Sequence, residues 1–212
     1  MEGELDIGAL MKSIIDDELS FGPIELSESL YEITLIMGVL EADISPILEM
    51  KPEDHSGPQR RSLVRAIFAL IEGITYGIKQ TALELDNKLE RRLTEVERMA
   101  ISETAASIGS KGQVEINSVY PKVKNNVLFA FNMLGKATGS AYQLEIGVVG
   151  WEAFQKSLLV RDRITHPKQA SDLAISDPEI EVLKAAFWWF HKAMLVAMFS
   201  GLQGMLKMKY PN

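Results

Sequence analysis

The chain of 212 residues contains no cysteine and only 3 histidines. The absence of cysteine excludes disulfide bonds, thiolate metal sites and a cysteine nucleophile, and it is typical of proteins of the reducing cytoplasm. No two histidines lie at a metal-binding spacing, and neither a His-Glu-x-x-His motif nor an aspartate cluster is present. We therefore expect no metal site and no cofactor.

Positive charge is also scarce, since 22 Lys and Arg face 29 Asp and Glu, a net charge of -7. This charge repels a polyanion on average, so only a local basic site is compatible with nucleic-acid binding. The first residues lack the basic start and apolar run of a signal peptide. The most apolar stretch, residues 185–206, is interrupted by His191, Lys192, Gly201 and Gln203, short of the roughly 20 apolar residues of a membrane span. We expect a cytoplasmic protein with no membrane partner, whose last helix is buried.

Apolar residues recur at helical spacing along most of the chain. The pattern predicts helices over residues 7–15, 26–44, 59–93, 94–107, 120–134, 150–165 and 177–206, the last two and the fourth with capping residues at their starts or stops. Apolar residues almost surround the third from Leu63 to Ile78, so it should be central. Strand signals are scarce, and the sequence is compatible with short extended segments only near residues 113–119 and 143–149. The sequence therefore predicts an all-α bundle, a single α-helical domain over residues 1–212.

The most informative segment, residues 159–168, reads Leu-Val-Arg-Asp-Arg-Ile-Thr-His-Pro-Lys. Pro167 disfavours the helical conformation at His166, so the helix should end there with Arg161 in its last turns. A guanidinium can grip a phosphate with two hydrogen bonds, and an imidazole can move a proton near neutral pH. These two groups are suited to breaking RNA without a metal.

On this helix, Arg161 continues an apolar line formed by steps of three and four: Trp151, Phe154, Leu158, Arg161 and Thr165. A guanidinium on that line needs a carboxylate, a carbonyl or an anionic ligand. We do not expect Asp162 to be that partner, because sequence neighbours point about 100° apart on a helix.

A structural interpretation competes with the chemical one. Arg161 can pair with a carboxylate or with the last carbonyls of its helix, and His166 can cap the helix end. His191 lies on an apolar face and is expected to be a hydrogen-bonded core or interface residue, whereas His55 lies in a polar loop and is expected to be solvated. The Met and aromatic residues of the last helix predict either core or a dimer face.

An arginine, a polar residue and then a histidine at the end of a helix in an all-α bundle resemble the motif of the HEPN superfamily. Here it reads Arg161, Asp162, three residues and His166, and the preceding Trp-x-x-Phe-x-x-x-Leu-Leu-Val helix is also similar. The resemblance implies a HEPN-type bundle of four to five core helices, to which this chain adds extra N-terminal helices. It also implies a homodimer in which two motifs face each other and, in active members, metal-independent RNA cleavage that leaves a cyclic phosphate.

Two functions remain open. In the first, the chain is a metal-independent endoribonuclease acting on single-stranded RNA through a composite dimer site, where Arg161 stabilises the transition-state charge, His166 is general acid or base, and Asp162 orients one of them. Arg163 and Lys168 would then bind the substrate in a narrow basic strip. In the second, a non-catalytic module binds a nucleotide, an RNA end or a partner protein. A role in a toxin–antitoxin or defence system would add an antitoxin-like protein partner.

Overall fold

The computed structural model describes residues 28–140 and 142–209, the last ten by their backbone alone, and this part of the chain is mostly helical. It contains six α-helices and one two-stranded antiparallel hairpin. The helices are α1 (Glu28–Leu48), α2 (Gly57–Lys88), α3 (Glu95–Ile101), α4 (Val123–Thr138), α5 (Val149–Thr165) and α6 (Asp177–Lys209). The strands are β1 (Thr104–Ile108) and β2 (Val114–Ser118), and two short 3-10 turns cover Pro52–Asp54 and Ala170–Leu173. The helix predicted at residues 7–15 lies outside the described residues.

Capping residues decide where several helices begin. The backbone N–H of Thr94 donates to the Glu97 carboxylate at 2.7 Å, and the N–H of Glu97 donates back to the Thr94 hydroxyl at 3.3 Å. At the start of α6, the N–H of Ser176 donates to Glu179 at 2.8 Å. Both helix starts were predicted, because a Ser or Thr followed three residues later by Glu satisfies the otherwise unpaired N–H groups of the first turn.

Helix α2 is the central helix, as its nearly continuous apolar surface predicts. It packs most extensively against α1 and α4 and also touches α3, α5 and α6. Gly77 lies against Ile33 of α1 so closely that a β-carbon would collide with that side chain, and Gly150 of α5 lies equally close to Trp189 of α6. Glycine at these two positions therefore sets the spacing of two helix pairs.

The main difference from the predicted architecture is the hairpin. A helix predicted to reach residue 107 ends at Ile101, and Glu103 adopts a left-handed conformation with φ of 54°. A non-glycine residue holds this conformation only when tertiary contacts stabilise it. The carboxylate of Glu103 accepts a hydrogen bond at 2.6 Å from Lys79, whose side chain is fully buried in α2. Strand β1 follows and pairs with β2, which lies inside the segment 113–119 that we considered compatible with an extended piece.

Helix α6 packs against α5 and α4. Its segment Asp177–Phe199 is long and apolar enough to cross a membrane by length and composition alone. In this fold one face of it, including Ile180, Leu183 and Phe190, is buried among the other helices, as expected for a core helix. Trp188, Val196 and Phe199 remain exposed. The absence of a membrane partner stays a prediction.

The histidines outside the motif differ from expectation. His55 was expected in solvent, but its side chain is buried and Nε2 bonds the carbonyl of Ile47 at 2.8 Å, so that prediction was wrong. The loop folds back onto the end of α1, which local composition does not encode. His191 is buried as expected, yet neither ring nitrogen makes a hydrogen bond with a described residue; Nε2 lies 3.3 Å from a Glu41 carboxylate oxygen.

Candidate functional site

The end of α5 has the geometry that the motif predicts. The helix stops at Thr165, and His166 is its C-cap residue with φ of -125° and ψ of 58°. The N–H of His166 donates to the carbonyl of Asp162 at 3.0 Å, and the Thr165 hydroxyl donates to the carbonyl of Arg161 at 2.7 Å. Pro167 blocks continuation of the helix, so an imidazole leaves the helix end in a non-helical conformation.

Arg161 lies at the junction of α5 and α2. Its guanidinium donates to Glu72 of α2 at 2.7 Å and to Asp162 at 3.1 Å, and it lies 5.9 Å from the ring centre of Phe68. The side chain is 27% exposed. Of the three kinds of partner expected for this arginine, a carboxylate, a carbonyl or an anionic ligand, the structure shows a carboxylate, and Asp162, which we did not expect as a partner, is a second one. The arginine side chain is long enough for its guanidinium to reach the carboxylate of the neighbouring residue, although the two positions point in different directions on the helix.

The other motif residues point to different surroundings. Arg163 is about 200° around the helix from Arg161 and donates to Glu179 of α6 at 2.7 Å. Burial acts to raise the pKa of Glu179, but hydrogen bonds from Ser176 and the charge of Arg163 hold it below its ordinary value. Arg163 therefore ties α5 to α6. His166 and Lys168 are exposed, and their side chains make no hydrogen bond or ion pair within the described part of the chain.

A cleft of about 470 Å³ opens beside Arg161. Helix α2, the turn after α3, the segment leading into α4 and Arg161 itself form its walls. Its side chains with binding potential are Glu72, Thr75, Tyr76, Tyr120, Lys122 and Asn126. Of the motif residues, all of which the structure describes, only Arg161 lines it. Asp162, Arg163, His166 and Lys168 lie outside, so one copy of the described chain does not bring the predicted catalytic pair together in this cleft.

The two carboxylates of the cleft are already paired. Glu72 binds Arg161, and Glu103 binds the buried Lys79. Lys122 is exposed and makes no ion pair with any residue between 28 and 140 or 142 and 209. Arg161 uses two of its N–H groups on Glu72 and Asp162, which leaves other donors of its five for a ligand. The cleft is thus suited to an anion despite the acidic chain.

Aromatic rings and unpaired polar atoms complete the cleft. Tyr76 is 52% exposed and Tyr120 is 90% exposed. The hydroxyl of Thr75, a residue only 1% exposed, has no hydrogen-bond partner among the described residues, and neither does the buried Oδ1 of Asn126. A buried polar atom without a partner is destabilising and uncommon. Both residues are among those that line the cleft.

Sequence reasoning found Arg161 but missed the rest of the cleft. Thr75 and Tyr76 lie within the apolar pattern of α2, and Asn126 lies near the start of α4, about fifty residues later. A helical pattern shows which face is buried but not which helices meet, so no local signal joins these residues. Comparison with protein-family models, with curated proteins and with solved structures found no match to this chain.

Proposed function

We propose that this protein binds a nucleotide or a segment of single-stranded RNA in the cleft beside Arg161. The observation that carries the proposal is the half-buried guanidinium of Arg161, with unused donors, at the edge of a cleft that also contains two exposed tyrosines. Arginine binds phosphate with two hydrogen bonds, and bases of single-stranded RNA stack on aromatic side chains. Lys122 adds a second positive charge to the lining of the cleft.

Glu72 has a defined part in this proposal. Its carboxylate holds the Arg161 guanidinium in place at 2.7 Å while no anion is bound. Both side chains are partly exposed, so their ion pair contributes at most about 1 kcal/mol to stability. A phosphate can therefore displace or share this contact at low cost. The arrangement holds the arginine ready without burying an unpaired charge.

The same proposal includes the HEPN type of bundle for the fold. It is supported by the motif at the end of α5, in which Arg161 and Asp162 are followed by three residues and then by His166. This motif lies directly before the last long helix, α6. The extra N-terminal helix of the described chain is α1, which packs on α2.

The test uses calorimetry at low salt to measure the binding of two ligands, a mixed-sequence single-stranded oligoribonucleotide and AMP. Arg161→Ala should weaken binding at least tenfold, since a charge-assisted hydrogen bond is worth about 1.5–3 kcal/mol. Glu72→Gln should strengthen it by removing the competing carboxylate. Arg65→Ala, which removes the same charge from an exposed position of α2 outside the cleft, is the control. Equal weakening in Arg161→Ala and Arg65→Ala would reduce the effect to net charge and refute the site.

RNA cleavage is the second candidate function, and the exposure of His166 favours it. The imidazole is exposed, makes no hydrogen bond or ion pair with a described residue, and lies on the same helix end as Arg161. A second copy packed against the exposed Trp188, Val196 and Phe199 of α6 would bring another His166 to a shared groove. There the imidazole would act as general acid or base for attack by the ribose 2'-hydroxyl, and Arg161, oriented by Asp162, would stabilise the charge on phosphorus. Arg163 and Lys168 are the proposed substrate-binding residues of that groove.

A further inference from the structure

We propose that Thr75 and Asn126 form the base-reading floor of the Arg161 cleft, and that the group they bind is a nucleobase edge with an N–H donor next to an acceptor. This inference rests on the proposed nucleotide-binding function and goes beyond it, because it assigns the part of the ligand that is neither phosphate nor ribose. Neither residue belongs to the motif, and each comes from a different helix, Thr75 from α2 and Asn126 from α4.

The hydrogen-bonding capacity of the floor defines the ligand. The Asn126 atom without a partner is Oδ1, which only accepts, so the ligand must present an N–H or O–H donor to it. The Thr75 hydroxyl both donates and accepts, so it can bond the neighbouring ring nitrogen or carbonyl of the same edge. Nucleobases carry a donor fixed beside an acceptor on their pairing edges, as these two atoms require, whereas an ionised phosphate presents no donor.

A comparison within α2 indicates that Thr75 is not an ordinary helical threonine. The hydroxyl of Thr81, which is 3% exposed, donates to the carbonyl of Gly77 at 3.0 Å, the usual bond of a buried threonine to the preceding turn. The hydroxyl of Thr75 makes no such bond with a described residue, although the same helix offers it a preceding turn. Thr75 is among the residues that line the cleft.

The remaining cleft residues fit the same ligand. The ring of Tyr120 is 90% exposed and therefore available to cover one face of a base. Lys79 lies 5.9 Å from the ring centre of Tyr76, so a buried positive charge already holds that ring. With Arg161 available for a phosphate, the volume of about 470 Å³ is sufficient for one nucleotide, either free or as one unit of an RNA strand.

The experiment measures calorimetric binding of AMP, GMP, CMP, UMP and ribose 5-phosphate to the full chain and to the variants Thr75→Val and Asn126→Ala. Thr75→Val keeps the shape of the side chain and removes only the hydroxyl. We expect it to weaken the tightest-binding nucleotide roughly tenfold, equivalent to about 1.4 kcal/mol, and to leave ribose 5-phosphate binding unchanged. Its melting temperature without ligand should be equal to or above that of the original protein, whereas the control Thr81→Val should melt lower.

The outcomes separate this inference from the proposed function. Ribose 5-phosphate binding as tightly as every nucleotide would overturn the base-reading floor and leave the Arg161 anion site standing. No binding of any of the five compounds would overturn both. Nucleotide binding that is unchanged in both variants, or a Thr75→Val protein destabilised as much as Thr81→Val, would also overturn the inference, because the hydroxyl would then be structural. Loss of base preference with retained sugar-phosphate binding supports it, and loss of all binding only in Arg161→Ala supports the site on which it rests.

Discussion

The ion pair between Lys79 and Glu103 should hold one wall of the cleft, and its removal is the sharpest test of the fold. The Lys79 side chain is 0% exposed and that of Glu103 is 31% exposed, with 2.6 Å between Nζ and the carboxylate oxygen. Glu103 is also the residue whose left-handed conformation separates α3 from β1. Replacing Glu103 should therefore leave an unpaired charge inside α2 and loosen the turn at the cleft.

The expected magnitude follows from the burial of the lysine. Removing one partner of a buried ion pair costs about 3–5 kcal/mol. Because water reaches one third of Glu103, Glu103→Ala should lie at the lower end, about 3 kcal/mol. Alanine retains a β-carbon, so the strain of the positive φ changes little. Lys79→Met should be neutral or stabilising, since it fills the same space without a charge. The double variant should resemble Lys79→Met alone.

Urea unfolding followed by far-UV circular dichroism measures these differences, and the melting temperature of Glu103→Ala should fall by about 6–12 °C. Glu90→Ala is the control, because it removes an ion pair with Arg92 in which the two side chains are 61% and 34% exposed. That variant should lose no more than about 1 kcal/mol. A loss in Glu103→Ala as small as in Glu90→Ala would refute the reasoning, and so would a double variant as unstable as Glu103→Ala.

Two further predictions concern pH and assembly. Burial lowers the pKa of His191, so protonation favours the unfolded chain and stability should fall as pH drops below about 6.5, the ordinary imidazole value. Burial also raises the pKa of Glu41, so protonation of Glu41 favours the folded chain, but only at pH values nearer the carboxylate range. In thermal melts from pH 7.5 to 5, His191→Phe should lose less stability than the original protein. An equal loss of stability would contradict the attribution to His191. If the cleavage function holds, sedimentation at micromolar concentration should report a dimer, and cleavage of single-stranded RNA should persist in excess chelator and vanish in His166→Ala without a change in melting temperature. A monomer that still cleaves would exclude the composite site.

The helices could be predicted from the sequence because their signals are local. Apolar spacing and the boxes at Thr94 and Ser176 act within a few residues, and the structure retains both helix starts. The hairpin could not be predicted in the same way. What ends α3 is the conformation of Glu103, which a lysine 24 residues earlier stabilises from inside the bundle. The error at His55 has the same origin, since its partner is a carbonyl of the preceding helix.

In the candidate site, too, local features could be predicted from the sequence and tertiary contacts could not. The position of Arg161 on an apolar stripe predicted that it would need a carboxylate, a carbonyl or an anionic ligand. It did not predict Glu72, which lies 89 residues away and has nothing near it in the sequence to distinguish it from other surface acids. Likewise the sequence predicted that the helix ends at His166, but it did not predict that Arg163 binds Glu179 of α6. Which residues share a cleft depends on which helices pack together, and amphipathic patterns leave that choice open.

Thr75 and Thr81 show how far that limit extends. Both are buried threonines of one helix, six residues apart, and their local sequences give no reason to treat them differently. Six helical steps of about 100° direct them to different neighbours. The hydroxyl of Thr81 is satisfied by its own helix. The hydroxyl of Thr75 has no partner among the described residues, and Thr75 lines a cleft that the start of α4 and the end of α5 complete. The difference between the two residues is visible only in the tertiary structure, as a hydrogen bond that Thr75 does not make. If the proposed role of Thr75 holds, removing its hydroxyl should weaken ligand binding and should not lower the stability of the unliganded protein.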